Sequence, residues 1–340
     1  MNYYESLIEA SERNLPWDQL EGKNILVTGA TGLIGSTISQ ILLQRASGHF
    51  NLYAAGRNVE RARKIFRNCW HNPFFHFLQF DVTDVSSLKE EFHFIISAAS
   101  SANPILYATD PVGVIRGNIY GVDNLLTYGI HHSLERFLYV SSGDVYGDCG
   151  EELISEEFSG YANPLNLRSC YISAKRAAES LCTAFVSQYD ASVVIARPCH
   201  TYGPGFAEHD TRAFAQFLRN IINKENIVLK SAGDQIRSWC YVVDCAIGII
   251  YILLLGTNGE AYNIADDNSI ASIKDFATFI AEEGGVGIEY STPTELEKSG
   301  FNLVKKSIFD VTKLKRLGWN TSGSMRDKIR ATIEELENYH

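Results

Sequence analysis

An α/β fold, a Rossmann-like doubly wound parallel sheet with a smaller mixed C-terminal substrate-binding part, is what this 340-residue chain predicts. Three observations point there. Short β-rich runs alternate with helical patterns through the first two thirds of the chain, which is the pattern of parallel strands joined by crossover helices. Near the start, KNILVTGATGLIGS (Lys23 to Ser36) runs an apolar strand into Gly29, Gly32 and Gly35 and then a helix. Finally, the length exceeds one compact core, so a smaller part appended to a large one is expected.

Taken in order, the predicted strands are Asn24–Thr28, Asn51–Ala55, Phe77–Phe80, Phe92–Ser97, Arg136–Ser141, Ser192–Ala196 and Glu260–Ile264. Helices are predicted between them at Ser36–Gln44, Val112–His131 and Ser169–Gln188. After Tyr202 the periodicity loosens: GPGFAEHDTR reads as a loop, followed by a helix at Ala213–Asn223. The end, with helical patterns at Ile273–Glu283 and Ser324–Asn338, is expected to hold little sheet. The apolar run Ala246–Leu255 is too short to span a bilayer and suits a buried helix. A cofactor domain is therefore expected over 1–202 plus about 240–265, and a substrate domain over about 203–239 plus 266–340.

Charge and cysteine usage narrow the class. A net charge of -10 and a pI near 5.4 leave no basic stripe to displace counterions, so nucleic acid is not an expected partner. The N-terminal stretch is amphipathic and charged without the apolar core of a signal peptide, and no membrane partner is expected. Seven cysteines without a CxxC pair suit reduced thiols in a cytoplasmic protein. No cluster of His, Cys and carboxylates suggests a metal.

Two motifs carry chemistry. In the glycine loop, Gly29 permits a tight turn, Gly32 lets backbone approach a pyrophosphate and Gly35 lets helix pack on strand, leaving the helix N-terminus facing the phosphates. In SCYISAKRAAESL, Tyr171 and Lys175 lie four apart on one helix face. The ammonium is expected to draw the phenol down from about 10 toward a working value. A phenol so tuned exchanges a proton with an alcohol or ketone while hydride moves to or from a nicotinamide.

With these residues in hand, the chain resembles the extended short-chain dehydrogenases/reductases, the nucleotide-sugar epimerase and dehydratase family, over nearly its whole length. TGATGLIG is similar to the family's cofactor loop, and ISAAS (Ile96 to Ser100) to the strand beside the cofactor. NIYGVDNLL is similar to the segment carrying Asn118, SSGDVYG to the strand end bearing the catalytic hydroxyl at Ser142, and ARPCHTYGPG to the RxxNxYGPG segment. GDQIRSWCYVVD resembles the stretch whose arginine grips the diphosphate, and LKRLGW the closing motif. The resemblance implies catalytic roles for Ser142, Tyr171, Lys175 and Asp144. It implies cofactor contacts from Gly29, Thr31, Gly32, Leu33, Ile34 and Gly35, from Arg57, Asp81, Val82, Ala98, Ala99, Asn118 and Pro198, and from Tyr171 and Lys175. Substrate contacts are implied for Ser100, Ser142, Arg168, His200, Arg237 and Lys306, with Lys305 an alternative to the last. A homodimer through the helices Val112–His131 and Ser169–Gln188 is also implied.

Several of these positions have a plainer reading. Ser142 can cap backbone, Asp81 can cap the next helix, and Lys306 can belong to a solvated charge run. His200, standing where the family has asparagine, can be a structural histidine. Arg57 sits where NAD-binding relatives offer a carboxylate to ribose; an arginine there favours NADP, with NAD the alternative.

Gly143 and Asp144 bear on the reaction. The family's dehydratases place an acid and a base after the catalytic hydroxyl; here the acid position is glycine and the base position holds the shorter aspartate. A 4-ketoreductase of a nucleotide-diphosphate sugar is therefore ranked first, then a 4-epimerase, then a glucuronate decarboxylase with Arg168 as carboxylate partner. A 4,6-dehydratase lacks one group, and a cofactor-sensing protein without turnover is the alternative of another class.

Overall fold

The computed structural model describes residues 1–45, 49–150, 152–294 and 304–338. Seven strands form its main sheet: β1 (Asn24–Thr28), β2 (Asn51–Gly56), β3 (Phe75–Gln79), β4 (Phe94–Ser97), β5 (Arg136–Val140), β6 (Val193–Pro198) and, later in the chain, β10 (Ala261–Ile264). All pair parallel in the order β10-β6-β5-β4-β1-β2-β3. The chain winds outward from β1 to β3, then returns to β4 on the other side of β1. The strand order reverses there, and a crevice opens at the carboxyl ends of the strands at such a switch point. β1 is buried from Ile25 to Thr28, as a strand covered by helices on both faces must be.

Strand existence follows the sequence, with shifts at the ends. β3 begins at Phe75 and stops at Gln79, so Asp81 lies two residues beyond it. No helix follows for Asp81 to cap: its carboxylate accepts from the Thr83 backbone N–H at 3.0 Å and hydroxyl at 2.8 Å, closing a turn. The apolar run near Ala246 is a buried helix, Val242–Leu255, packed against the helix Leu33–Arg45 and the N-terminal helix Tyr3–Ser11.

The end is helical at Ile273–Gly284 and Met325–Asn338 with little sheet, as expected, but a set of short strands around β10 was not read from the sequence. Between β6 and β10 lie β7 (His200–Tyr202), β8 (Ile227–Leu229) and β9 (Ile236–Tyr241). After β10 come β11 (Asp266–Ser272), β12 (Ile288–Tyr290) and β13 (Lys306–Ser307). β9 is the hub of a second, mixed sheet, pairing antiparallel with β11 and parallel with β7 and β13; β8 and β12 form a parallel pair of their own. Trp239 of β9 stacks on Phe276 at 3.8 Å, fastening this sheet to the helix Ile273–Gly284. Lys328, on the last helix Met325–Asn338, reaches Asp244 at 2.8 Å and Asp266 at 2.9 Å, a buried triad joining that helix to Val242–Leu255 and β11.

Candidate active site

One crevice of about 1110 Å³ runs from the glycine loop to β9. Its first half is bare backbone. Gly29 has φ +64°, and a Cβ there would stand 2.7 Å from the Ala98 carbonyl oxygen; a Cβ on Gly35 would run into the Gly29 carbonyl. The helix Leu33–Arg45 starts directly behind, so its unpaired N–H groups face an anion. These features fit the pyrophosphate of a dinucleotide. Arg61 straps this loop to the next wall, its Nε donating to the Thr31 carbonyl at 2.8 Å and an Nη to Gly205 at 2.9 Å and Phe206 at 3.1 Å. Arg57 is largely exposed and faces Asp81 at 3.4 Å.

The reacting centre lies where β5 ends. Ser142 starts a single turn, Gly143–Tyr146, and its Oγ accepts the Asp144 backbone N–H at 3.1 Å. From the helix Ser169–Tyr189, Tyr171 and Lys175 enter on one face, 4 % and 1 % exposed. Ser142 and Ser100 lie beside the phenol and favour its ionised form, and its ring stacks on Tyr107 at 5.0 Å. Ser100 in turn donates to Asn118 Oδ1 at 3.0 Å.

The expected tuning of the phenol is not what this geometry produces. Burial, reinforced by the Asp144 charge, pushes Tyr171 up to about 12 against the hydrogen bonds that lower it. Lys175 is itself desolvated, which brings its ammonium down to about 7 despite Glu179. Its Nζ donates to the Val140 carbonyl at 2.8 Å and lies 5.7 Å from the centre of the Tyr171 ring. A buried cation that titrates near neutrality does little to hold a neighbouring phenol ionised, so the phenol is mostly protonated in this setting.

The far half gathers positive charge. Arg237 is buried and held by the Ile236 and Val304 carbonyls at 2.9 and 2.6 Å, and burial lowers it to about 10. Its Nε is buried without a partner. His200 is brought down to about 4 by burial and by Arg237, with Asp144 opposing. Arg168 and Arg212 act electrostatically on His200 too, and Arg212 is fixed by Asp210 at 2.6 Å.

Every residue selected from sequence lines the crevice except Asn118, Lys306 and its alternative Lys305. Asn118 stands behind the wall supporting Ser100, and Lys306 faces Glu152 at 3.4 Å. Arg61, Tyr107, Arg212 and Phe309 also line it and were not read from sequence. Arg212 lies at the end of a stretch read only as a loop, and Phe309 has no periodic partner to mark it.

A glycine-loop sheet opening onto Ser142 and a buried Tyr and Lys pair defines an enzyme of the nicotinamide-dependent dehydrogenase/reductase class. Residues 25–265 match the model of the NAD dependent epimerase/dehydratase family, and the chain belongs to that family. UDP-glucuronic acid decarboxylase 1 of Xenopus tropicalis is 30% identical over 93% of this chain and 73% of its own. UDP-glucuronic acid decarboxylase 6 of Arabidopsis thaliana is 29% identical over 92% of this chain and 88% of its own. Among solved structures, UDP-glucuronic acid 4-epimerase of Bacillus cereus, in complex with UDP-glucuronic acid and NAD, superposes with a TM-score of 0.81 at 23% identity. It covers 93% of this chain and 100% of the epimerase, and it attests the fold.

Proposed function

We propose that the protein oxidises carbon 4 of a nucleotide-linked uronic acid and removes its carboxylate, a decarboxylase of the UDP-glucuronate kind. The observation that carries this is that Arg168, Arg212 and Arg237 line one crevice together with Asp144 and Tyr171. A diphosphate engages Arg237, and the further cations suit a second anion on the sugar. The similarity to decarboxylases supports the same order, which reverses the ranking drawn from sequence alone.

Bound nicotinamide would supply a hydride acceptor at carbon 4 and later return the hydride; the proton of the 4-hydroxyl leaves to the ionised form of Tyr171, so the phenol that donates afterwards is the one protonated in this first step. Once carbon 4 is a ketone, the carboxylate on carbon 5 is β to it. The bond from carbon 5 to the carboxyl carbon breaks, its electron pair forms the carbon 4–carbon 5 double bond, the ketone oxygen takes the negative charge and carbon dioxide leaves. A phenol that keeps its proton suits that stage, since Tyr171 with Ser142 can donate to the forming enolate oxygen. A proton from solvent then returns to carbon 5, with the Asp144 carboxylate placed to relay it.

Arg57 alone favours NADP. Paired with Asp81, whose carboxylate would repel a ribose phosphate, it favours NAD instead. The domain division read from sequence is retained, the first sheet holding cofactor and the second the nucleotide. The exposed Val112 and Tyr120 on the helix Pro111–Ile130 are proposed to face a second copy.

Incubation with UDP-glucuronate, UDP-glucose and a 4-keto sugar, with NAD or NADP, tests the reading by product mass and absorbance. Release of carbon dioxide from UDP-glucuronate is expected, falling about 10²–10⁴-fold in Tyr171→Phe with NAD binding kept. Net consumption of reduced cofactor by the keto sugar, without loss of carbon dioxide from UDP-glucuronate, would establish the reductase instead.

A further inference from the structure

Gly143 is glycine for lack of room. Its φ does not lie in the left-handed region, so the backbone would accept a side chain there. A Cβ would instead collide with the tip of the Phe309 ring, 2.7 Å from Cε2 and closer still to Cζ, with the Pro198 carbonyl oxygen at 3.3 Å. Real Cβ atoms do not approach an aromatic carbon that closely, so one of the two must move. Phe309 is poorly placed to do so. It is 3 % exposed, its ring packs on Tyr146 at 5.5 Å, and its backbone N–H is held by Ser238 Oγ at 3.1 Å. Its neighbours on both sides are bonded to Ile154, Ile308 through its carbonyl at 2.8 Å and Asp310 through its N–H at 2.9 Å. Both Gly143 and Phe309 line the crevice beside Ser142.

We propose that Phe309 is a specificity-determining residue of the reacting centre: its ring takes the space beside Ser142 that any side chain on residue 143 would enter. The wall at that spot is hydrocarbon, and the turn presents its carboxylate from Asp144. Substrates are thereby restricted to nucleotide sugars whose second step needs no acid from residue 143. Elimination of water needs one, because departing hydroxide must take a proton as its bond to carbon breaks. Loss of carbon dioxide needs none, because the electron pair left behind goes to the ketone and the departing fragment is neutral. This rests on the uronate reading above, whereas the steric exclusion stands on the geometry of Gly143 and Phe309 alone.

The test is a cycle of Gly143→Asp, Phe309→Ala and the two together, read by thermal midpoint and by rates of hydride transfer with UDP-glucuronate and with UDP-glucose. Gly143→Asp alone is expected to lower the midpoint and slow hydride transfer at least about tenfold, and Phe309→Ala is expected to restore much of both in the double variant. Phe309→Ala alone is expected to shift the ratio of kcat/KM for UDP-glucuronate over UDP-glucose by about tenfold, a change that loss of packing would not confine to one sugar. Phe309→Leu, which keeps bulk and apolarity, guards against misfolding of the alanine variant and should hold the native ratio. Gly143→Asp behaving as wild type, or an unchanged ratio in Phe309→Ala, would overturn the proposal. Absence of any carbon dioxide release by the wild type would instead refute the uronate reading, and the stability cycle would still decide whether Phe309 excludes a side chain at residue 143.

Discussion

Lys175 is the residue at which short-range pattern and three-dimensional setting part company. Its spacing from Tyr171 was legible, because four residues along a helix fix a shared face whatever surrounds it. Its charge was not, because desolvation comes from β5 and Tyr139, distant in sequence. The lysine titrates near 7 in the folded protein and near 10.5 when unfolded, so between these values the unfolded chain binds more protons. Stability therefore carries a cost below pH 7 that is relieved as pH rises from 7 toward 10.5. Lys175→Met is expected to stabilise the fold at pH 7, by a shift in the urea midpoint, and to flatten that pH slope while abolishing turnover. An unchanged slope in the variant would show that the ammonium is solvated. Asn118 and Lys306 teach the same lesson: type and order were readable, but whether each faces the crevice depends on packing.

At the scale of elements, the glycine loop and the long helices were readable because each carries its own signal over consecutive residues. The second sheet was not. β7, β8 and β12 have three residues each and β13 two, too short for alternation to register, and their partners come from far along the chain. The boundary of β3 was missed for a related reason, since its burial alternates weakly. The loop's own prediction is specific. Gly35→Ala drives a methyl into the Gly29 carbonyl and pushes the turn away from the helix N-terminus. Affinity for NAD, read by quenching of protein fluorescence, should fall at least about tenfold while UDP binding is kept.

For the whole molecule, the two sheets are held in register by contacts that no local pattern announces, and the Lys328 triad is the most consequential. Its lysine draws together the helix that covers the main sheet and the first strand after β10, with Asp266 further bonded by Ser269 at 2.8 Å and Thr321 at 2.9 Å. Burial raises Asp244 even though Lys328 opposes it, while Lys328 and these hydroxyls hold Asp266 below the ordinary carboxylate range despite burial. Removing the ammonium leaves two carboxylates buried together, so Lys328→Met is expected to cost about 3–5 kcal/mol in urea unfolding. The pH dependence has a defined sign. Asp266 titrates lower folded than unfolded, so its contribution is present above the unfolded value and is lost as pH falls through the folded one. Asp244 runs the other way: ionised at neutral pH at a cost, it favours the fold more as acid protonates it. In the wild type the two partly cancel as acid passes through the carboxylate range; in Asp244→Asn only the Asp266 dependence remains, and stability should fall more steeply with acid. An acid-unfolding curve for Asp244→Asn no steeper than the wild type's would mean that Asp266, rather than Asp244, carries the raised value within the triad.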